Sequence, residues 1–121
     1  MKVINSSNPE TWNTIIRQFP AWDIYYLCEY AISMKKHGDG DPILLYFSDA
    51  DMTMCYVVMK QDIYGFGIYS KFISENTYYD LITPYGYGGP LYNGIINQVS
   101  LKYFFDELTD YCMANNIISQ F

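Results

Sequence analysis

The chain has 121 residues, half of them apolar and 19% aromatic, the aromatics being chiefly its 14 tyrosines. That length makes a single domain, residues 1–121, and that composition supports a packed core, which excludes a disordered segment. A formal charge of −6 with only seven Lys and Arg, of which only Lys35 and Lys36 adjoin, excludes a nucleic-acid surface, because phosphate binding needs clustered cations.

Asn8-Pro9 is a helix opening, a capping side chain followed by proline at the first helical position. Trp12, Ile15, Ile16 and Phe19 then recur at helical spacing until Pro20. The pattern from Tyr25 to Lys36 predicts a second helix with Leu27, Tyr30, Ala31 and Met34 on one face. Lys35, Lys36 and His37 suit its C-terminal end, and Gly38 its cap. The short connection Trp22-Asp23-Ile24 makes the two helices neighbours. Ile43 to Phe47 and Met54 to Met59, separated by Ser48-Asp49-Ala50-Asp51, predict an antiparallel hairpin. Both runs are nearly continuous rather than alternating, so both faces of the sheet are expected to be covered.

Ile63 to Tyr69 and Lys71 to Ile73 are weaker extended segments, with Gly65 and Gly67 marking an irregular insertion. Tyr78 to Ile82 reads as a further strand. It leads into Pro84-Tyr85-Gly86-Tyr87-Gly88-Gly89-Pro90, which holds three of the eight glycines and two of the five prolines. Glycine lets backbone approach a ligand and proline fixes φ, so this loop is the place to look for a site. A long helix from Val99 to Ala114 follows, with Leu101, Phe104, Phe105, Leu108, Tyr111 and Cys112 as its apolar stripe and Asn115-Asn116 closing it. Ile117 to Phe121 begins a last strand. The fold class is therefore α/β (α+β), organised around one mixed sheet.

Chemistry is narrowed by what is sparse. Cys28, Cys55 and Cys112 are far apart with no metal-ligand spacing, so neither zinc nor another metal is expected. An odd cysteine count without a secretory signal fits a cytoplasmic location. The longest apolar runs fall far short of the ~20 residues that cross a bilayer, so no membrane partner is expected. His37 is the sole histidine and sits at a helix end, which argues against Ser-His or Cys-His nucleophilic chemistry. Asp23 reads as a helix cap and Glu29 as a solvated helix residue, in preference to a base. Asp39, Asp41, Asp49 and Asp51 read as turn residues, and Asp106, Glu107 and Asp110 as the outer face of the last helix. Asp80, between apolar strand neighbours, is the carboxylate expected to be buried, and a buried carboxylate needs a partner.

Asp23-Ile24-Tyr25-Tyr26-Leu27-Cys28-Glu29-Tyr30, together with the stretch from Tyr79 to Pro90 and the closing Phe104 to Phe121, resembles a GNAT-type acyltransferase domain. More narrowly, it resembles the branch related to the Fem peptidoglycan-bridge aminoacyltransferases. The likeness spans about Trp22 to Phe121, except Tyr64 to Thr77.

The resemblance implies two N-terminal helices, an antiparallel hairpin and a strand–loop–helix unit. It implies an acyl or aminoacyl group passed to an amine, with acyl-CoA or an aminoacyl donor as cofactor or small-molecule partner. The donor would sit on Tyr85, Gly86, Tyr87, Gly88 and Gly89, before a helix whose N-terminus receives a pyrophosphate. Trp22, Tyr25, Tyr26 and Asp80 would line the substrate side, and no catalytic residue is assigned.

Two departures stand out. No Arg or Gln precedes the glycines, and Leu91 to Gln98 separate them from the helix. Family members also continue beyond a fifth strand, so the chain reads as an N-terminal portion, not catalytically complete alone and prone to self-association into a homo-oligomer. The alternative is a non-catalytic binding or assembly domain that completes its sheet with a second chain.

Overall fold

The computed structural model describes residues 1–84 and 88–120. Its elements are β1 (Lys2–Asn5), α1 (Pro9–Ile16), α2 (Cys28–His37), β2 (Asp41–Ser48), β3 (Met52–Asp62), β4 (Tyr79–Ile82), β5 (Leu91–Gly94), α3 (Gln98–Ala114) and β6 (Ile117–Gln120). The strands form one mixed sheet in the order β1-β2-β3-β4-β6, with β5 also paired to β3. The α/β class read from the sequence is what the chain adopts.

The two long strands are apolar on both faces because helices cover both faces. Leu44, Cys55, Val57 and Met59 pack with Trp12, Ile16, Cys28 and Ala31 of α1 and α2. The alternate residues Ile43, Leu45, Tyr56 and Val58 pack with Phe104 and Leu108 of α3. This is the period-two alternation of a strand read against two apolar layers. Asp49 closes the hairpin, its Oδ1 accepting the backbone N–H groups of Asp51 (2.9 Å) and Met52 (2.8 Å).

Helix ends follow their sequence signals with two breaks, the first being that α1 ends at Ile16, short of the expected stop at Pro20, and leaves Phe19 in the turn beyond it. Asn8 caps α1 by accepting the Thr11 N–H at 3.2 Å, and Pro9 opens the helix. The single helix expected from Tyr25 is instead a 3₁₀ turn, Ile24–Tyr26, separated from α2 by an extended Leu27 (ψ 149°). Asp23 caps that turn, accepting the Tyr25 N–H at 2.8 Å, so it is a cap as expected, but of a shorter element. Gly38 closes α2, and Asn115 and Asn116 close α3.

Three further expectations are corrected. The segments from Ile63 are not extended: a 3₁₀ turn, Ile63–Phe66, leads into successive turns, held by Asp62, which accepts the N–H groups of Tyr64 and Asn76. Phe105 leaves the apolar stripe of α3 and is exposed, because the helix buries a narrower face. Glu107 does not merely solvate that helix: it is half-buried and binds the amino group of Met1. The four-residue strands β1 and β5 were not among the elements read from the sequence.

The edge of β3 that faces β4 is shared. Met59 pairs with Ile82 and Cys55 pairs with Leu91, both antiparallel. Three residues of β3, 56–58, separate the two pairings, against eight in the chain between Ile82 and Leu91, and the glycine-rich sequence makes up that difference. β6 then pairs with β4 in parallel, with a register shift between Tyr79 and Asp80. A parallel pair needs a crossover, which the segment through α3 provides.

Phe104 is fully buried and stands edge-on to Phe47, with ring centroids 5.9 Å apart. Phe104→Ala is expected to cost about 3–5 kcal/mol of unfolding free energy, the range for emptying a buried aromatic site. Urea denaturation checks it, and Phe105→Ala in parallel is expected to leave the midpoint nearly unchanged.

Candidate functional site

The glycine-rich loop leaves β4 at its C-terminal end, the same end of the sheet at which the parallel neighbour β6 terminates. Crevices beyond the carboxyl ends of parallel strands are where open α/β sheets hold ligands. Pro84 is buried at the loop's start, and Gly88 and Gly89 follow with φ of 146° and 141°. A side chain at Gly88 would be strained by that backbone, and its Cβ would lie 3.3 Å from Cβ of Thr83. The two limbs of the loop thus meet at its base. Tyr85, Gly86 and Tyr87, named as donor-binding from the sequence, lie outside the described residues.

The helix beyond the loop is placed differently from the expectation. β5 intervenes, ended by Gly94 at φ 102°, where any Cβ would collide with the Asp51 carbonyl. Asn97 then caps α3, its Oδ1 accepting the Ser100 N–H at 2.8 Å while its amide donates to Asp51 at 3.2 Å. The N-terminus of α3 is therefore filled by its own cap and flanked by a carboxylate. The cap takes the Ser100 N–H, and the Asp51 carboxylate beside it opposes the positive helix end that a pyrophosphate would need.

Trp22, Tyr25 and Tyr26 gather at the corner between α1 and α2. Tyr26 accepts the Trp12 indole N–H through its carbonyl at 2.9 Å, and the Tyr25 ring stands edge-on to Tyr30 at 5.1 Å. The Arg17 guanidinium lies 6.0 Å over Trp22, which is 37% exposed. Burial, and then the Asp23 carboxylate, push the Tyr26 phenol above its ordinary range. The neighbouring Pro20 and Ala21 share a hollow of about 220 Å³ with Pro90, Leu91 and Tyr92, which brings the corner up to the end of the glycine-rich loop.

Asp80 is elsewhere. It is buried, at 5% exposure, and its Oδ1 accepts the Ser119 hydroxyl at 2.9 Å across the β4–β6 pair. It lines a cleft of about 490 Å³, beside none of Trp22, Tyr25 or Tyr26. The burial was legible, the location was not. Of the cleft's walls, Tyr78 comes from the start of the expected strand, and Ile63, Phe66, Tyr69 and Ile73 from the segment read as an irregular insertion. Its density of aromatic residues was the signal available.

The thiols are not nucleophiles in these surroundings. Burial pushes Cys55 up to about 12 and raises Cys28 and Cys112, so none presents a thiolate at neutral pH. Nδ1 of His37 faces Asp39 at 3.0 Å on the exposed end of α2. Among the described residues no group of three His, Cys, Asp or Glu converges as for a metal ion, and no helix is long and apolar enough to cross a membrane.

Glu29, expected to be merely solvated, ties α2 to α1. Both its oxygens accept the Asn13 amide at 2.9 Å, while Asn13 Oδ1 accepts the Cys28 N–H at 2.9 Å. Leu27 has no capping side chain of its own, so α2 is capped by its neighbour. Asn13→Ala is expected to cost about 1–3 kcal/mol by stranding these groups, measured by chemical denaturation. The Asn13 hydrogen bond holds the Glu29 carboxyl below its ordinary range. A lowered folded value means that the contribution of Glu29 is complete above the unfolded range and is lost as pH falls through the folded value. The stability advantage of the natural chain over Glu29→Gln is thus expected at neutral pH and to vanish in strong acid, as paired thermal melts would record.

Comparison with protein-family models, with curated proteins and with solved structures finds no match to this chain.

Proposed function

We propose that the chain is a GNAT-like, Fem-related acyl- or aminoacyltransferase domain that holds a small-molecule acyl donor for transfer to an amine. The observation that supports this reading most is the interrupted edge of β3, where the pairing with β4 stops at Ile82 and that with β5 starts at Leu91, at the carboxyl end of the parallel β4–β6 pair. Gly88 and Gly89 take left-handed backbone there that residues with side chains rarely adopt. Chemistry at such a site is positioning plus backbone stabilisation of developing negative charge. The donor's contacts then come from the loop, not from the capped and acid-flanked end of α3. No nucleophile or base stands at the loop among the described residues, so the role assigned to the chain is donor positioning and not autonomous turnover.

A second reading, an assembly domain, is favoured by the outer edge of the sheet. Among the described residues β6 pairs only with β4. Beside it, Ile118 is 63% and Met113 74% exposed, with Phe105 also exposed, around a groove of about 310 Å³. An unpaired strand edge flanked by apolar side chains is a template for another chain.

Thermal melts with and without acetyl-CoA at two protein concentrations separate the two. A donor present at about 100 times its dissociation constant adds ~2.7 kcal/mol to the folded state. The transferase reading expects that rise, and its loss in Gly88→Val. A midpoint unmoved by acetyl-CoA that climbs with protein concentration overturns it in favour of assembly.

A further inference from the structure

The cleft over Asp80 is lined by the wrong kind of wall for an ionised group. Ile63, Phe66, Ile73 and Ile118 surround it with hydrocarbon, and Tyr69 and Tyr78 add aromatic faces near the mouth. Taking a carboxylate out of water is costly unless a cation or several donors face it. Asp80 has one neutral donor, the Ser119 hydroxyl, and no ion-pair partner among the described residues. Among the described residues, none of the fully buried side-chain oxygens lacks a partner. The second Asp80 oxygen, which has no donor among the described residues, is therefore open to the cleft that the side chain lines.

Four of the chain's seven Lys and Arg side chains have partners elsewhere. Lys35 pairs with Asp41 and Lys102 with Asp106. Arg17 lies over Trp22 at the α1–α2 corner. Lys60 lies 3.8 Å over the Tyr79 ring, and Tyr79 packs toward α3, on the face of β4 opposite Asp80. Lys71, on the covering segment, is exposed.

We infer that this cleft is a binding site for a small organic cation, a primary amine carrying an aromatic or branched apolar body. The ammonium meets the Asp80 carboxylate, and the body fills the apolar space. A volume of about 490 Å³ suits such a molecule. Aromatic rings at the mouth add attraction for positive charge. A bare metal ion does not fit, since one carboxylate and one hydroxyl fall well short of a cation's oxygen shell. The inference stands apart from the donor loop and does not rest on the transferase reading.

The test is titration calorimetry with phenethylamine, phenethyl alcohol, phenylacetate and methylamine, which vary the charge and the body separately. Phenethylamine is expected to bind about tenfold or more tightly than the alcohol, the size of one charge-assisted hydrogen bond. Phenylacetate and methylamine are expected to bind more weakly still. Asp80→Asn keeps the shape and the Ser119 contact and is expected to bring the amine down to the alcohol's affinity. Phe66→Ala, at a position 46% exposed, is expected to weaken the amine about threefold with an unchanged melting midpoint, should Asp80→Asn not fold. Equal affinity for amine and alcohol, an amine affinity that Asp80→Asn leaves unchanged, or no binding of phenethylamine at millimolar concentration would each overturn the inference.

Discussion

Everything in this domain is hung on β3. Its eleven residues pair with β2 along one edge and with two separate strands along the other. A strand buried on both faces must satisfy its backbone in the plane of the sheet, since water cannot reach it from above or below. The chain meets that demand twice on one edge, with β4 and again with β5. Because the two pairings are out of step, surplus backbone is expelled between them. The length of the glycine-rich segment is in this sense a product of register, since the sheet stays paired on each side of it.

The same demand explains the corner between α1 and α2. Leu27 is an apolar residue where a capping side chain belongs, because it packs against the core. The first turn of α2 therefore borrows an acceptor from α1, and Asn13 is buried to supply it. A helix end satisfied by a neighbouring helix fixes the angle between the two more firmly than apolar packing does, since hydrogen bonds are directional and burial is not. Trp22, Tyr25 and Tyr26 ride on that corner and inherit its position.

Much of this architecture was legible in the sequence for identifiable reasons. The hairpin and the covering of both its faces follow from unbroken apolar runs, and the ends of α1 and α2 from Asn8-Pro9 and Gly38. The burial of Asp80 follows from its apolar neighbours. What escaped is what depends on partners distant along the chain. Leu91 to Gly94 is a strand only because β3 has an open edge there, and nothing in Leu-Tyr-Asn-Gly announces it. Leu27 interrupts a helical pattern for the sake of tertiary packing, which overrides propensity. The cleft over Asp80 needs the turn region beyond Ile63 to fold back across β4, and its aromatic residues carry no period that would reveal this. The likeness to acyltransferases foresaw a strand, a loop and a helix in that order, but not the strand inserted between loop and helix.

The parallel placement of β6 also has a consequence for how the domain is made. Asp80 and Ser119 are 39 residues apart in sequence, whereas the β2–β3 hairpin closes through a three-residue turn at residues 49–51. Contacts of short separation cost little chain entropy and form early, and long-range parallel pairing comes late. The hairpin with α1 and α2 on one face can assemble while β4 still has an open side, and only the arrival of α3 and β6 seals it. During that interval the nascent domain shows an adhesive strand to its surroundings. Chains crowded together while folding, as on a busy ribosome or in an overloaded expression host, would meet one another through β4 before each had finished with itself.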